Sequence, residues 1–348
     1  MPSKVVLFLT LTVILQAVLM LFVLSSCVTS MRYGKHSIDP FSPTTMPAAA
    51  SDWSHARDSR SSTSANAAHV SLLILVMSSA TDDGRTRRKT IRETWLSLMN
   101  LKPMTSSVMA RFVVGTMELQ QSILDELYLE RDVQKDMVLL PNLLDSYANL
   151  SLKILKSFLW ARENLKFTFL MKCDDDSFIN LLTFQEDIRR AEMHKQHERL
   201  YWGFFRGDAH VKVSGKWKED SWFLCDRYLP YAQGGGYVLS SDLVELLSLN
   251  AKYLALYSSE DVSVGVWLAP YNITRKHDVR FDTEFVSRGC RNSYVVSHKQ
   301  SIEQMQRKYL SLKTKGVLCE KEFQTRPSFI YNWKLPPSSC CKRDRNDL

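Results

Sequence analysis

The chain has 348 residues, with 45 Lys and Arg against 37 Asp and Glu for a formal net charge of +8, and it is 45% hydrophobic and 24% charged. This balance is globular and excludes a disordered chain, a coiled coil or a collagen, while 12 Gly and 11 Pro are too few for a low-complexity protein. The basic excess suits nucleic acid, anionic glycans and phosphorylated small molecules alike, and the length points to about two domains or one large domain with appendages.

Residues 5–24 carry no charge and follow Lys4. About 20 apolar residues at about 1.5 Å each span a hydrocarbon core of ~30 Å. A cleaved signal peptide has a shorter apolar region of roughly 7–15 residues. The reading is therefore a retained signal anchor at 5–28, with cleavage near Ser25-Ser26-Cys27 as the alternative. The bias of Lys4 against Arg32 and Lys35 is weak. A short tail before the only span still favours cytoplasmic 1–4 and translocation of the rest. Residues 29–68 are rich in Ser, Thr, Ala and Pro without apolar periodicity, as in a stem that buries no core. The structured lumenal domain is then 69–348.

Asn149-Leu150-Ser151 and Asn272-Ile273-Thr274 are glycosylation acceptor tripeptides, a pattern that also arises by chance. Cys173, Cys225, Cys290, Cys319, Cys340 and Cys341 are an even set compatible with disulfides in an oxidising compartment. No CxxC occurs, so a zinc pattern is absent, and Cys173 also reads as a buried thiol.

The elements of this domain alternate. Residues 69–77 form a continuous apolar run rich in branched side chains, as in a strand buried on both faces. A polar, basic segment follows. Residues 110–115 repeat the strand pattern, 117–131 read as a helix, 136–140 as a third strand ending at Pro141, 147–165 as a helix and 167–171 as a fourth strand. The expectation is an α/β domain with a mostly parallel sheet, whose ligands collect at the carboxyl ends of the strands.

Asp174-Asp175-Asp176 falls at such an end. Three adjacent carboxylates repel one another unless a cation binds, and hard oxygen ligands suit Mg²⁺ or Mn²⁺, which in turn hold a diphosphate. An acidic helix N-cap explains the triplet equally well. No GxxxxGK or GxGxxG is present, which argues against a P-loop or classical dinucleotide site. The basic run Arg85-Thr86-Arg87-Arg88-Lys89 projects from the same sheet edge, where Arg forks suit phosphate; it also reads as a solvated face or a nucleic-acid patch. Gly234-Gly235-Gly236 permits a close backbone approach or a tight turn. Ser258 and Asp261 are spaced as a capping box, so Asp261 is either a cap or a general base at a helix mouth. His277 alone reads as an ordinary surface or core histidine.

Taken in order, RKTIRETW (88–95), MKCDDDSFIN (171–180), YAQGGGYVLS (231–240) and SSEDVSVGVWLAP (258–270) resemble the motifs of the β-1,3-glycosyltransferases of glycosyltransferase family 31. The resemblance covers 69–348 and implies a GT-A fold with a mostly parallel central sheet behind a single N-terminal membrane span. It also implies Golgi type II topology, a UDP-sugar donor and Mn²⁺. Trp95-Leu96, HDVRFDTE (277–284), RGC (288–290) and the tail LPPSSCC resemble the galactosyltransferases of the glycosaminoglycan linkage region. That implies inverting transfer of galactose from UDP-galactose to the 3-hydroxyl of a terminal galactose, on galactosyl-xylose carried by a proteoglycan core protein. Alternatives are an N-acetylglucosaminyl- or N-acetylgalactosaminyltransferase of the same family, or an inactive membrane-anchored glycan-binding protein.

In the roles that the resemblance implies, Asp261 is the base, Asp176 and His277 hold the metal, Asp174 and Asp175 contact the donor, and Arg88 and Arg92 lie near the nucleotide. Cys173 departs from relatives, which often carry Thr or Ala there. Other Golgi transferases are possible partners; nucleic acid is not.

Overall fold

The computed structural model describes residues 69–100, 106–194 and 198–343. The anchor at 5–28 and the stem at 29–68 lie outside the described residues. Among the described residues no helix is long and apolar enough to cross a membrane.

The seven-stranded central sheet begins with β1 (His69–Met77), β2 (Val108–Gly115) and β3 (Met137–Leu140). It continues with β4 (Lys166–Asp174), β6 (Leu200–Arg206), β7 (Tyr231–Ser240) and β8 (Thr274–His277). A two-residue strand, β5 (Phe178–Ile179), follows β4 outside this sheet. The strand order is β3-β2-β1-β4-β7-β6-β8. Strands β3, β2, β1 and β4 run parallel, β7 is antiparallel to both neighbours, and β6 and β8 are parallel again. This is the mostly parallel α/β sheet expected.

Period-two alternation of apolar side chains makes it a middle layer. In β1, Leu72, Ile74 and Val76 enter one buried cluster while Leu73, Leu75 and Met77 enter another. The first cluster is covered by α1 (Asp82–Glu93) through Ile91, α2 (Gln121–Gln134) through Leu127 and α4 (Leu181–Met193) through Phe184 and Ile188. The second is covered by α3 (Leu150–Asn164), α5 (Ser241–Leu249) and α6 (Glu260–Leu268), through Phe158, Leu247 and Trp267. Each fully buried Leu, Ile or Phe contributes roughly 1.5–3 kcal/mol. Helix α1, read from sequence only as a basic run, starts where Thr81 accepts a hydrogen bond from the Gly84 N–H and Asp82 and Asp83 fill the first turn.

After β1 the chain winds outward to β2 and β3, then returns to place β4 on the other side of β1. The crevice at the carboxyl ends of β1 and β4 is thus a topological switch point, where open α/β sheets bind ligands. Met77 pairs in register with Asp174 there.

Beyond the sheet lie β9 (Phe281–Asp282), β10 (Gly289–Cys290), β11 (Val296–Ser297), α7 (Ile302–Lys315) and β12 (Phe323–Gln324). Disulfides join Cys290 to Cys319 and Cys340 to its neighbour Cys341; Cys173 is a buried free thiol and Cys225 an exposed one. Asn272 is exposed between α6 and β8. Asn149 is half-buried, its amide donates to the Leu144 carbonyl, and the Ser151 hydroxyl of its tripeptide is buried against Tyr257 and Ser263.

Candidate active site

The triplet caps no helix. Asp174 ends β4, β5 follows, and α4 begins only at Leu181. What it meets is set by the next ladder: β5 pairs antiparallel with β11, Phe178 opposite Ser297. Continuing that register sets Ser177 opposite His298 and Asp176 opposite Lys299, which brings Asp176 and His298 side by side. His298 Nε2 lies 3.0 Å from Asp176 Oδ1 and 3.3 Å from Asp174 Oδ2. Lys299 Nζ is 3.1 Å from Asp176 Oδ2, and the Gln300 N–H donates to the Asp176 carbonyl. Burial alone would lower the His298 pKa, but the contacts with Asp174 and Asp176 raise it to about 9. Asp174 is shifted down despite its burial, chiefly by Lys172, and Asp176 likewise by His298. Burial pushes Asp175 up to about 7, against the pull of the Ser78 hydroxyl and Arg87.

The contacts are close without being aligned. Asp176 Oδ1 and both His298 ring nitrogens are buried and make no hydrogen bond. Converging oxygen and imidazole atoms left without directed bonds fit a divalent cation, and Asp174, Asp176 and His298 each offer one atom within 4.8 Å of the others.

The glycine run explains how the imidazole gets in. It lies inside β7 and forms no turn. A Cβ on Gly235 would sit 2.4 Å from the His298 ring, and one on Gly234 would come within 3.3 Å of carboxylate oxygens of Asp261 and Glu260. The absent side chains admit His298 on one side and the mouth of α6 on the other.

Asp261 stands at that mouth. Its Oδ2 accepts the Gly234 N–H at 2.9 Å and its Oδ1 the Val262 N–H at 2.9 Å. Ser258 does not cap the helix: its hydroxyl donates to the Lys218 carbonyl, and the N-cap is Ser259, without a side-chain bond. Burial raises the Asp261 pKa, with Lys172 and the two N–H groups opposing. Lys172 ties the two carboxylate groups together, with Nζ 2.9 Å from Asp174 Oδ1, 2.8 Å from Glu260 Oε2 and 2.7 Å from the Gly234 carbonyl. Both Glu260 oxygens are engaged, one by Lys172 and the other by the Tyr237 hydroxyl, and burial pushes its pKa up to about 7. Glu260 is a buried strut, whereas Asp261 is half-buried.

Three expectations are corrected. His277 does not join Asp176. It ends β8 at the far side of the sheet, its Nδ1 accepts the Phe205 N–H at 3.0 Å, and its Nε2 bonds the Phe329 carbonyl at 2.9 Å. With the ring packed between Phe204 and Phe329 and its pKa lowered to about 4 by burial, both nitrogens are spent on the fold. Arg88 is fully buried and grips Glu130 in a fork at 2.9 and 2.7 Å; its third nitrogen reaches Ser78 and Ser79. Arg92 grips Asp136 at 2.8 and 2.9 Å and Glu130 at 2.8 Å. These two guanidiniums brace α1 against α2 and β3. Arg88 touches the site only indirectly, through Ser78, whose hydroxyl faces Asp175. The arginine that does face the triplet is Arg87, which feels the charges of Asp175 and Asp176 and reaches the Gln300 carbonyl.

The galactosyltransferase family model matches residues 86–279, a span holding the triplet, the glycines and Asp261 but not His298. The chain is 49% identical over 257 residues to beta-1,3-galactosyltransferase 6 of Mus musculus, covering 74% of this chain and 78% of that one. It is 33% identical over 168 residues to UDP-GalNAc:beta-1,3-N-acetylgalactosaminyltransferase 2 of Xenopus laevis, covering 48% and 33%. It is 30% identical over 223 residues to the hydroxyproline O-galactosyltransferase GALT2 of Arabidopsis thaliana, covering 63% and 31%. The chain belongs to the galactosyltransferase family and is a glycosyltransferase, which moves a sugar from a donor to a glycan acceptor.

Proposed function

We propose that the chain is an inverting β-1,3-galactosyltransferase of GT-A type. It takes galactose from UDP-galactose to the 3-hydroxyl of a terminal galactose in the proteoglycan linkage region. The observation that carries the chemistry is the meeting, at one sheet edge, of a cation-compatible cluster with a half-buried carboxylate on the neighbouring helix. The likeness to the mouse galactosyltransferase, over most of both chains, supports the sugar and the linkage.

In this reading Asp176 and His298, with Asp174 beside them, hold Mn²⁺. When bound, the ion neutralises negative charge on the departing diphosphate. Asp261 takes the proton of the acceptor hydroxyl as that oxygen attacks the anomeric carbon from the face opposite the leaving group. Its raised pKa suits a base, and the Gly234 and Val262 N–H groups fix its orientation. Arg87 supplies positive charge beside the triplet. Lys172 sets the spacing between the carboxylates and keeps Glu260 out of the chemistry.

The apolar stretch at 5–24, the exposed Asn272 tripeptide and two disulfides support a lumenal catalytic domain on a Golgi membrane anchor, with Asn272 the better placed glycan acceptor than Asn149.

Asp261→Asn tests the base. Turnover should fall at least ~100-fold with near-normal melting temperature and UDP binding. Turnover within a few-fold of wild type would make Asp261 structural. A panel of UDP-sugars tests the donor: preference for UDP-N-acetylgalactosamine or UDP-N-acetylglucosamine over UDP-galactose would overturn the galactosyl assignment.

A further inference from the structure

Outside the site just described lies a cavity of about 530 Å³ between α7, the Cys290–Cys319 bridge and the β10–β12 ladder. Its charged lining is Lys299, Arg307, Lys308 and Lys321 against the single carboxylate of Glu320. Lys299 is committed to Asp176, which shows that the cavity abuts the triplet. Lys308 is the unusual member. It projects from the buried face of α7 and is only 9% exposed, yet its ammonium meets a disulfide sulfur, Cys290 Sγ, at 3.1 Å. Among the described residues no carboxylate forms an ion pair with it. Arg307 and Lys321 are exposed at the same cavity and likewise form no ion pair among the described residues.

A buried ammonium facing a weak sulfur acceptor is unfavourable, and an anion entering the cavity would relieve it. We propose that this cavity is a binding site for a tetrahedral oxyanion, phosphate or sulfate, held by Lys308 within and by Arg307 and Lys321 at its mouth. Two cations from successive residues of α7 and one from the segment after the Cys319 bridge line the same cavity, so an oxyanion there would meet charge-assisted donors from two elements. Burial lowers the Lys308 pKa to about 8, with Asp282 opposing, as expected of an ammonium that lacks a counter-ion. The inference stands apart from the proposed reaction, since none of these three residues has a part in it.

The test is calorimetric titration of the full chain with inorganic sulfate, with chloride holding ionic strength constant. The expected result is saturable binding at one site, weakened at least ~10-fold in Lys308→Met, since a hydrogen bond from a charged donor is among the strong ones. Loss of an unpaired buried charge should leave the Lys308→Met melting temperature unchanged or higher. Arg307→Gln with Lys321→Gln, both exposed, should also weaken binding, and this variant decides the matter if Lys308→Met fails to fold. Absence of saturable binding, equal binding in all folded variants, or displacement of sulfate by UDP would overturn the proposal. A kinetic arm separates the sources of the oxyanion. Sulfate competing with the acceptor marks a group carried on the glycan. Sulfate changing the rate at saturating acceptor marks a free anion.

Discussion

Two clusters of charge lie beside α1, and they are built on opposite terms. In the brace around α1, Arg88 and Arg92 meet Glu130 and Asp136 fork to fork, with each carboxylate held by aligned donors. In the cluster around the triplet, Asp174, Asp176 and His298 stand as close together, yet Asp176 Oδ1 and the ring nitrogens make no directed bond. A satisfied cluster has no capacity left for a ligand, so it acts on stability. An unsatisfied one is held together by the surrounding backbone and keeps its lone pairs for something else. Sequence composition alone does not separate the two, because both are acids and bases beside a strand.

Opening the brace should have the largest effect. Arg88→Met takes the fork from Glu130 but leaves it paired with Arg92, and should cost about 1.5–3 kcal/mol of stability, the usual worth of buried hydrogen bonds to a charged group. In the fraction that folds, the donor KM should stay within a few-fold of wild type. A large rise in that KM with normal melting would return Arg88 to the nucleotide site.

Gly235→Ala attacks the open cluster without touching a charge. Its Cβ would overlap the His298 ring, so the imidazole must move. Divalent-metal affinity should drop about 10–100-fold, as when the support of a ligand is lost. Unchanged affinity would show that the ring position does not matter.

Two pH effects are smaller. Turnover should fall on the acid side above the ordinary carboxylate range, because Asp261 takes up its proton at a raised pKa, and Asp261→Asn should remove that limb. Glu260 bears on stability instead. Its pKa is about 7 in the fold against an ordinary 4.5, so the folded state binds that proton more tightly. Its contribution is therefore full below about pH 4.5 and is lost as the pH rises towards 7. Melting curves of Glu260→Gln should lack that decline.

Much of the frame was legible in the chain. Apolar runs marked β1 to β4, because strands buried on both faces leave few polar positions, and the triplet falls at a strand end as expected. Helix α1 was missed because it buries only one large aliphatic side chain, Ile91, and otherwise reads as a basic run; Thr81 followed by two acids was the available signal. His298 was missed for a different reason. It is brought to the triplet by two-residue strands, β5 and β11, whose pairing leaves no periodicity to read. Only likeness to motifs points to His277, and hydrophobic packing with two backbone bonds claims its ring instead. Asp261 was identified, but the bonds that orient it come from Gly234, a contact between distant segments that spacing does not reveal.

In the proposed site the open cluster, with His298 and without His277, holds the divalent ion. Counting bound Mn²⁺ by electron paramagnetic resonance, in wild type, Asp176→Asn, His298→Gln and His277→Gln, tests it most directly. Asp176→Asn and His298→Gln should weaken Mn²⁺ binding at least ~10-fold, while His277→Gln should bind the ion normally and melt at a lower temperature. Normal Mn²⁺ binding by His298→Gln, together with its loss in His277→Gln, would assign the ion to His277 instead.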